Sequence, residues 1–125
     1  MTVDIEGPYD DSNIFAQILR GELPCTKVYE DEHVLAFNDI NPQAPVHVLV
    51  IPKGRYVSWD DFSSAASADE IAAFTRAVGQ IAREAGLVQP GYRLLSNVGR
   101  NGGQVVPHLH VHIVGGKPLG PMVSR

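Results

Sequence analysis

Between Ser67 and Gly86 the apolar residues Ile71, Phe74, Val78, Ile81 and Ala85 recur at steps of three and four. That is the period of one face of an α-helix. Ser67 with Glu70 forms a capping box at its start and Gly86 stops it, so the spacing predicts one long helix. A shorter stripe, Ile14, Phe15, Ile18 and Leu19, follows the cap residues Ser12 and Asn13 and ends at Gly21, predicting a short N-terminal helix. Elsewhere the period drops to two or the pattern becomes continuously apolar. "TKVYEDEHVLAFND" predicts a hairpin with strands near 26–30 and 34–37 and a tight turn at Asp31-Glu32. "VHVLVIP" is β-branched and almost wholly apolar, as a central strand buried on both faces requires. "YRLLSN" and "PHLHVHIVGG" complete a set of five strands, with loops at "INPQAP" and the glycine-rich "VGRNGGQ". The pattern predicts an α+β domain: an antiparallel five-stranded sheet with one short N-terminal helix and one long helix. Residues 1–11 read as a flexible N-terminal arm and residues 12–125 as a single domain.

The last strand carries the most chemistry. His108, His110 and His112 alternate with Leu109, Val111 and Ile113, so three of the chain's five histidines share one strand face while the apolar residues fill the other. Three explanations compete. The face could be polar and merely solvated. It could bind a metal, since imidazole is a common ligand, but same-face neighbours on one strand stand about 6.6–7 Å apart and do not converge easily on one tetrahedral ion. Or it could perform acid–base and nucleophilic chemistry at a phosphate, where one ring attacks while others bind or donate. The third reading leads, because Gly99, Gly102 and Gly103 sit in the loop just before the strand, where bare backbone N–H groups can approach an anion. That loop lacks both the ending of a P-loop and a dinucleotide fingerprint. Cys25 has no histidine near it in sequence, and no Gly-x-Ser-x-Gly elbow occurs.

Composition narrows the partners. The chain has 125 residues, 44% apolar and 19% charged, with a net charge of −4, which gives no basic footprint for duplex nucleic acid. A single cysteine rules out an intrachain disulfide and a cysteine-based zinc cage. The start "MTVDIEGPYDD" has neither a basic nor an apolar run, and no stretch approaches the roughly 20 apolar residues of a membrane helix. These features are expected of a cytoplasmic protein that associates with neither nucleic acid nor membrane.

"HLHVHI" resembles the His-φ-His-φ-His-φ-φ signature of the histidine-triad (HIT) family, φ being apolar. The likeness runs from about Ile14 to Gly116 and is nearest to the Hint branch of nucleoside phosphoramidases. "FNDINPQAPVHVLVIPK" is similar to that branch's Asp-Ile-x-Pro-Gln-Ala-Pro-x-His segment, "SNVGRNGGQ" to its Asn-x-Gly…Gly-Gln loop, and "HIVGGK" to its ending. The resemblance implies hydrolysis of the P–N bond of adenosine or guanosine 5′-phosphoramidates, releasing AMP or GMP. It assigns His110 as the nucleophile that forms a nucleotidyl-histidine. His108 and His112 flank it, orienting the ring and holding charge, and His112 is the better placed for the phosphate or departing amine. His47 is the fourth active-site histidine. Asn97 and the backbone of Gly103 and Gln104 bind phosphate, Asp39 receives the ribose hydroxyls, and Ile14, Phe15, Ile18 and Phe37 form the apolar slot for the base. It implies a homodimer whose sheet continues across the interface, and no cofactor.

Two positions depart from the branch. Val105 stands where a serine hydroxyl would touch the phosphate or leaving group. Asn13 and Ala16 stand where some members carry a zinc-binding cysteine pair, so that metal site is not expected. Two other activities stay open. A dinucleoside polyphosphate hydrolase would use the same histidine, although Gly115-Gly116-Lys117 replaces the Pro-Arg-Lys usual in that branch. A nucleotide-binding regulatory protein with weak turnover is compatible with Val105.

Overall fold

A computed structural model describes residues 3–123. In chain order the elements are α1 (Ile14–Leu19), β1 (Lys27–Glu30), β2 (Val34–Asn38), β3 (Val46–Pro52), α2 (Trp59–Ala65), α3 (Ala68–Glu84), β4 (Tyr92–Leu95), α4 (Gly99–Gly102) and β5 (Val111–Gly115). The strands form one antiparallel sheet in the order β1-β2-β3-β5-β4. β3 is central and covered on both faces, which is why "VHVLVIP" is nearly all apolar. The predicted five-stranded α+β architecture is therefore the one observed.

Strand alternation divides the core in two. Val34, Ala36, Val48, Val50, Val111 and Ile113 point to the face where Phe74, Ala77, Val78, Ile81 and Ala82 of α3 pack. Leu35, Phe37, Leu49 and Ile51 point to the other, where Phe15 of α1 covers them. Burying one side chain of this size contributes roughly 1.5–3 kcal/mol. On α3 the capping box of Ser67 and Glu70 forms as the sequence predicts. Its two end positions do not reach the core: Ile71 and Ala85 are exposed, and Ala77 and Ala82 lie on the buried stripe instead.

Three elements differ from expectation. α2 is an additional helix, started by a capping box in which Ser58 and Asp61 satisfy each other's backbone. It brings Phe62 against Phe74 at 5.2 Å between ring centroids. The glycine-rich loop contains one helical turn, α4, closed by Gly103 in the left-handed conformation at φ 72°. The histidine strand begins only at Val111, so His108, at a bend, and Leu109 and His110 lie in the segment leading into it, outside the ladder. The alternation of faces persists through it, with Leu109 buried under α3. Among the described residues no helix is long and apolar enough to cross a membrane.

Candidate active site

Residue parity assembles the site on the α1 face of the sheet. His47 shares a strand face with Leu49 and Ile51, and the register sets Leu49 opposite His112. Asp39 continues the parity of Leu35 and Phe37 just beyond β2. The histidine rings follow in a row, with His110 5.2 Å from His112 and His112 5.1 Å from His47 between centroids. The Phe15 ring stands edge-on to His110 at 5.0 Å.

Hydrogen bonds fix the proton on each ring. His110 Nδ1 lies 2.7 Å from the carbonyl of His108, which can only accept, so Nδ1 carries the proton and Nε2 keeps a bare lone pair. Burial pushes the His110 pKa below the usual imidazole value, which favours that neutral form. The Ser96 hydroxyl donates to the His110 carbonyl at 2.9 Å, holding the backbone from the neighbouring strand. His108 is wholly buried and its Nε2 donates to the Pro52 carbonyl at 2.8 Å. Burial, reinforced by the nearby His110, lowers its pKa to about 4. The expectation that His108 holds charge is corrected accordingly: the apolar surroundings keep it neutral at pH 7.

A second chain of bonds runs through His47. The backbone N–H of Gln43 donates to His47 Nδ1 at 3.0 Å, so the neutral ring carries its proton on Nε2. That nitrogen lies 2.9 Å from His112 Nδ1 and 3.4 Å from a carboxylate oxygen of Asp39. His112 Nδ1 must accept, which leaves the proton of a neutral His112 on Nε2. His112 Nε2 is buried with no protein partner, the one such side-chain atom among the described residues. Burial, then the neighbouring His110 and His47, lower the His112 pKa to about 4. The site thus presents a lone pair on His110 beside an unpartnered N–H on His112.

Asp39, His47 and His112 each bring one ligand atom within 4.8 Å of the others, a spacing that admits a metal ion. The tautomer opposes one. His47 Nε2 faces the shared position and carries the proton, because Nδ1 already accepts from Gln43. A metal there would require an imidazolate or loss of that backbone bond, so the donor set does not fit an ion as arranged.

The glycine loop supports the site differently from expectation. The N–H groups of Gly103 and Gln104 donate to the carbonyls of Arg100 and Gly99 at 3.1 and 3.0 Å, and so are already engaged within the turn. The Gln104 side chain, 2% exposed, accepts from the Gly99 N–H and donates to the carbonyls of Val57 and Val106. It therefore ties the loop to the start of α2. Val105 is 73% exposed, and its N–H has no protein acceptor among the described residues. Asn97 does join the site, lining with Gln43, His47, Arg93, Leu95 and His112 a cavity of about 350 Å³. Of the proposed base slot, Phe15 and Phe37 meet at 5.6 Å and Ile18 packs beside them. Ile14 is half-exposed, outside that cluster, because it occupies the outward side of a helix only six residues long.

Sequence reasoning missed two participants. Gln43 acts through its backbone, which no side-chain pattern reveals. Tyr9 lies in the segment read as an arm, yet its hydroxyl meets His108 Nδ1.

An α+β fold built on one antiparallel sheet, with three alternating histidines on the last strand and the segment leading into it and a fourth on the central strand, defines the class. The chain matches the HIT domain over residues 20–119 and belongs to that family. It is 62% identical over 117 residues to a HIT-like protein of Azospirillum brasilense, covering 94% of this chain and 96% of that one. It is 42% identical over 115 residues to the purine nucleoside phosphoramidase of Escherichia coli K12, covering 92% and 96%. Among solved structures, a HIT family hydrolase from Clostridium thermocellum superposes with a TM-score of 0.83 at 40% identity, over 91% of this chain and 98% of that one. These relatives place the chain with the Hint-like members.

Proposed function

We propose that this protein hydrolyses the P–N bond of purine nucleoside 5′-phosphoramidates. The observation that carries this reading is the pairing of a bare His110 Nε2 with the buried, unpartnered Nε2–H of His112. His110 attacks the α-phosphorus, the P–N bond breaks, and the leaving amine takes one proton supplied from solvent while the His112 Nε2–H hydrogen-bonds the departing nitrogen. Water then attacks the nucleotidyl-histidine, the bond from phosphorus to His110 breaks, and one proton returns to solvent. The nucleoside monophosphate leaves and the ring is restored. Asn97 and the Val105 N–H receive phosphate oxygens, Asp39 accepts from the ribose diol, and Phe15 with Ile18 and Phe37 borders the base. The name of the E. coli relative supports the purine and the phosphoramidate.

A second copy of the chain is part of this reading. Tyr92, Leu94 and Leu95 leave the edge strand β4 with 36–48% of their surface exposed. With Trp59, Phe74 and Val78 they line an apolar groove of about 500 Å³. An uncovered apolar edge invites strand pairing, here in a twofold homodimer. Sedimentation of wild type against Leu94→Glu tests it, the variant running as a monomer.

The activity itself is tested by steady-state hydrolysis of adenosine 5′-phosphoramidate in EDTA. Wild type turns over, and His110→Ala loses at least about three orders of magnitude in kcat. An inert wild type that still binds AMP would transfer the reading to a nucleotide-binding regulator. Equal turnover by the variant would overturn the nucleophile.

A further inference from the structure

Tyr9 is separated from His108 by 99 positions in the chain, yet its hydroxyl lies 2.5 Å from His108 Nδ1. The direction of that bond follows from the other side of the ring. His108 Nε2 donates to the Pro52 carbonyl, so Nδ1 is bare and the phenol must donate to it. The ring has no exposure to water. The phenol is therefore what satisfies a nitrogen that solvent cannot reach, and leaving such a group unpaired is costly.

The segment around Tyr9 is pinned rather than draped. The Arg55 guanidinium sits 5.1 Å from the centre of the Tyr9 ring and pairs with both carboxylate oxygens of Asp11 at 3.0 and 2.8 Å. The Asp10 carboxylate accepts from the Ser12 backbone, and the Asp10 carbonyl accepts from the Asn13 side chain, which in turn caps α1. Ile5 and Gly99, at the start of the glycine loop, line the same surface hollow. Tyr9 also meets His108 edge-on, with ring centroids 5.6 Å apart.

What His108 does next gives this contact a consequence for chemistry. Its carbonyl is the group that accepts the His110 Nδ1–H and so aims Nε2. We propose that Tyr9 is a positioning residue: its phenol holds the buried His108 ring, and through the backbone of that same residue sets the orientation and tautomer of His110. The inference rests on the reading of His110 as the phosphoramidase nucleophile. Without the phenol the His108 ring turns to find another donor, its backbone shifts, and the attacking nitrogen moves off line. A displacement of about 1 Å at a reacting group can cost on the order of a hundredfold in rate.

The test is Tyr9→Phe, which keeps the ring, its edge contact and the Arg55 face while removing one hydroxyl. Two measurements are made: hydrolysis kinetics on adenosine 5′-phosphoramidate, and nitrogen-15 spectra of the histidine imidazoles. The expected result is a fall in kcat of about tenfold with KM within about twofold, since Tyr9 touches no substrate. The His110 spectrum loses part of its Nδ1–H population. A variant with wild-type kcat and unchanged His110 signals overturns the proposal, even if its melting temperature falls. Should Tyr9→Phe not fold, Arg55→Met frees the Tyr9 ring without removing the phenol, and a two- to fivefold loss in kcat with the same spectral change is expected. If wild type fails to hydrolyse the phosphoramidate, the functional reading falls, while the His110 spectra still decide whether Tyr9 governs that ring.

Discussion

His47 Nε2 approaches His112 Nδ1 to 2.9 Å, and the Gln43 N–H behind His47 sets the direction of that bond. One backbone amide therefore determines which nitrogen of His112, two rings away, carries a proton toward the substrate. Replacing His47 with alanine leaves His112 Nδ1 without its donor. The ring is then free to carry its proton on Nδ1 and present an acceptor where the site needs a donor. His47→Ala is expected to lose about 10²–10³ in kcat, the scale found for removing one preorganised donor. Steady-state kinetics checks this, and nitrogen-15 spectra of His112 should show the tautomer change.

The buried histidines give stability a pH dependence whose sign can be worked out. His108 titrates near 6.5 when unfolded and near 4 when folded, so between those values the unfolded chain binds more protons. Stability is then fully present above pH 6.5 and declines as pH falls toward 4. A shift of this size corresponds to about 3 kcal/mol from His108 alone. His112 acts in the same direction with a smaller effect, because its ring is partly open to solvent screening. Denaturant midpoints measured from pH 7.5 to 4 should fall steadily below 6.5. Since burial also lowers the His110 pKa, the acid limb of kcat/KM is expected below the ordinary imidazole value.

Gln104 is a fold residue placed inside a functional motif. Its amide satisfies the Gly99 N–H and the Val57 carbonyl inside the protein and the Val106 carbonyl at a partly buried position. Gln104→Ala leaves these groups without partners at roughly 1–3 kcal/mol for a buried group. The expected outcome is a loss of about 2–4 kcal/mol by equilibrium unfolding and faster amide exchange across residues 98–106. Unchanged exchange in that segment would show that the loop holds itself.

What the sequence reveals here depends on how local the cause is. The alternation of His108, His110 and His112 with Leu109, Val111 and Ile113 is a property of adjacent residues, and it correctly separates the apolar set, which joins the core with α3, from the histidines, of which His108 and His110 meet Phe15. The Ser67–Glu70 box is local too, and α3 starts where it says. The similar box at Ser58 and Asp61 was equally local but heads a helix of seven residues, too short for an apolar period to stand out. Charge on His108 could not be read at all, because it depends on burial produced by the whole fold. The same holds for the two loop amides of Gly103 and Gln104. Glycines make a phosphate cradle possible, but only the closed turn shows where their hydrogen bonds go. Tyr9 contacts its partner across almost the full chain, beyond any periodicity.

Val105 provides the sharpest separation of chemistry from folding. It is largely exposed, so a polar side chain there removes little buried surface and leaves no cavity. Its position follows Gln104, whose side chain anchors the loop from below, so a substituent at 105 inherits a fixed backbone. By the resemblance to the branch that carries serine here, a hydroxyl at 105 would add one donor for the phosphate or leaving group, beside an N–H that has no acceptor among the described residues. A preorganised donor that strengthens its bond as charge develops can lower a barrier by up to about 3 kcal/mol, and one at an exposed position by less. Val105→Ser is therefore expected to raise kcat on adenosine 5′-phosphoramidate by about tenfold while leaving the melting temperature within about 1–2 °C. A gain in kcat without a change in KM would place the hydroxyl on the transition state. A gain confined to KM would place it on the bound phosphate, and no gain would mean that the His112 N–H already serves the leaving nitrogen unaided.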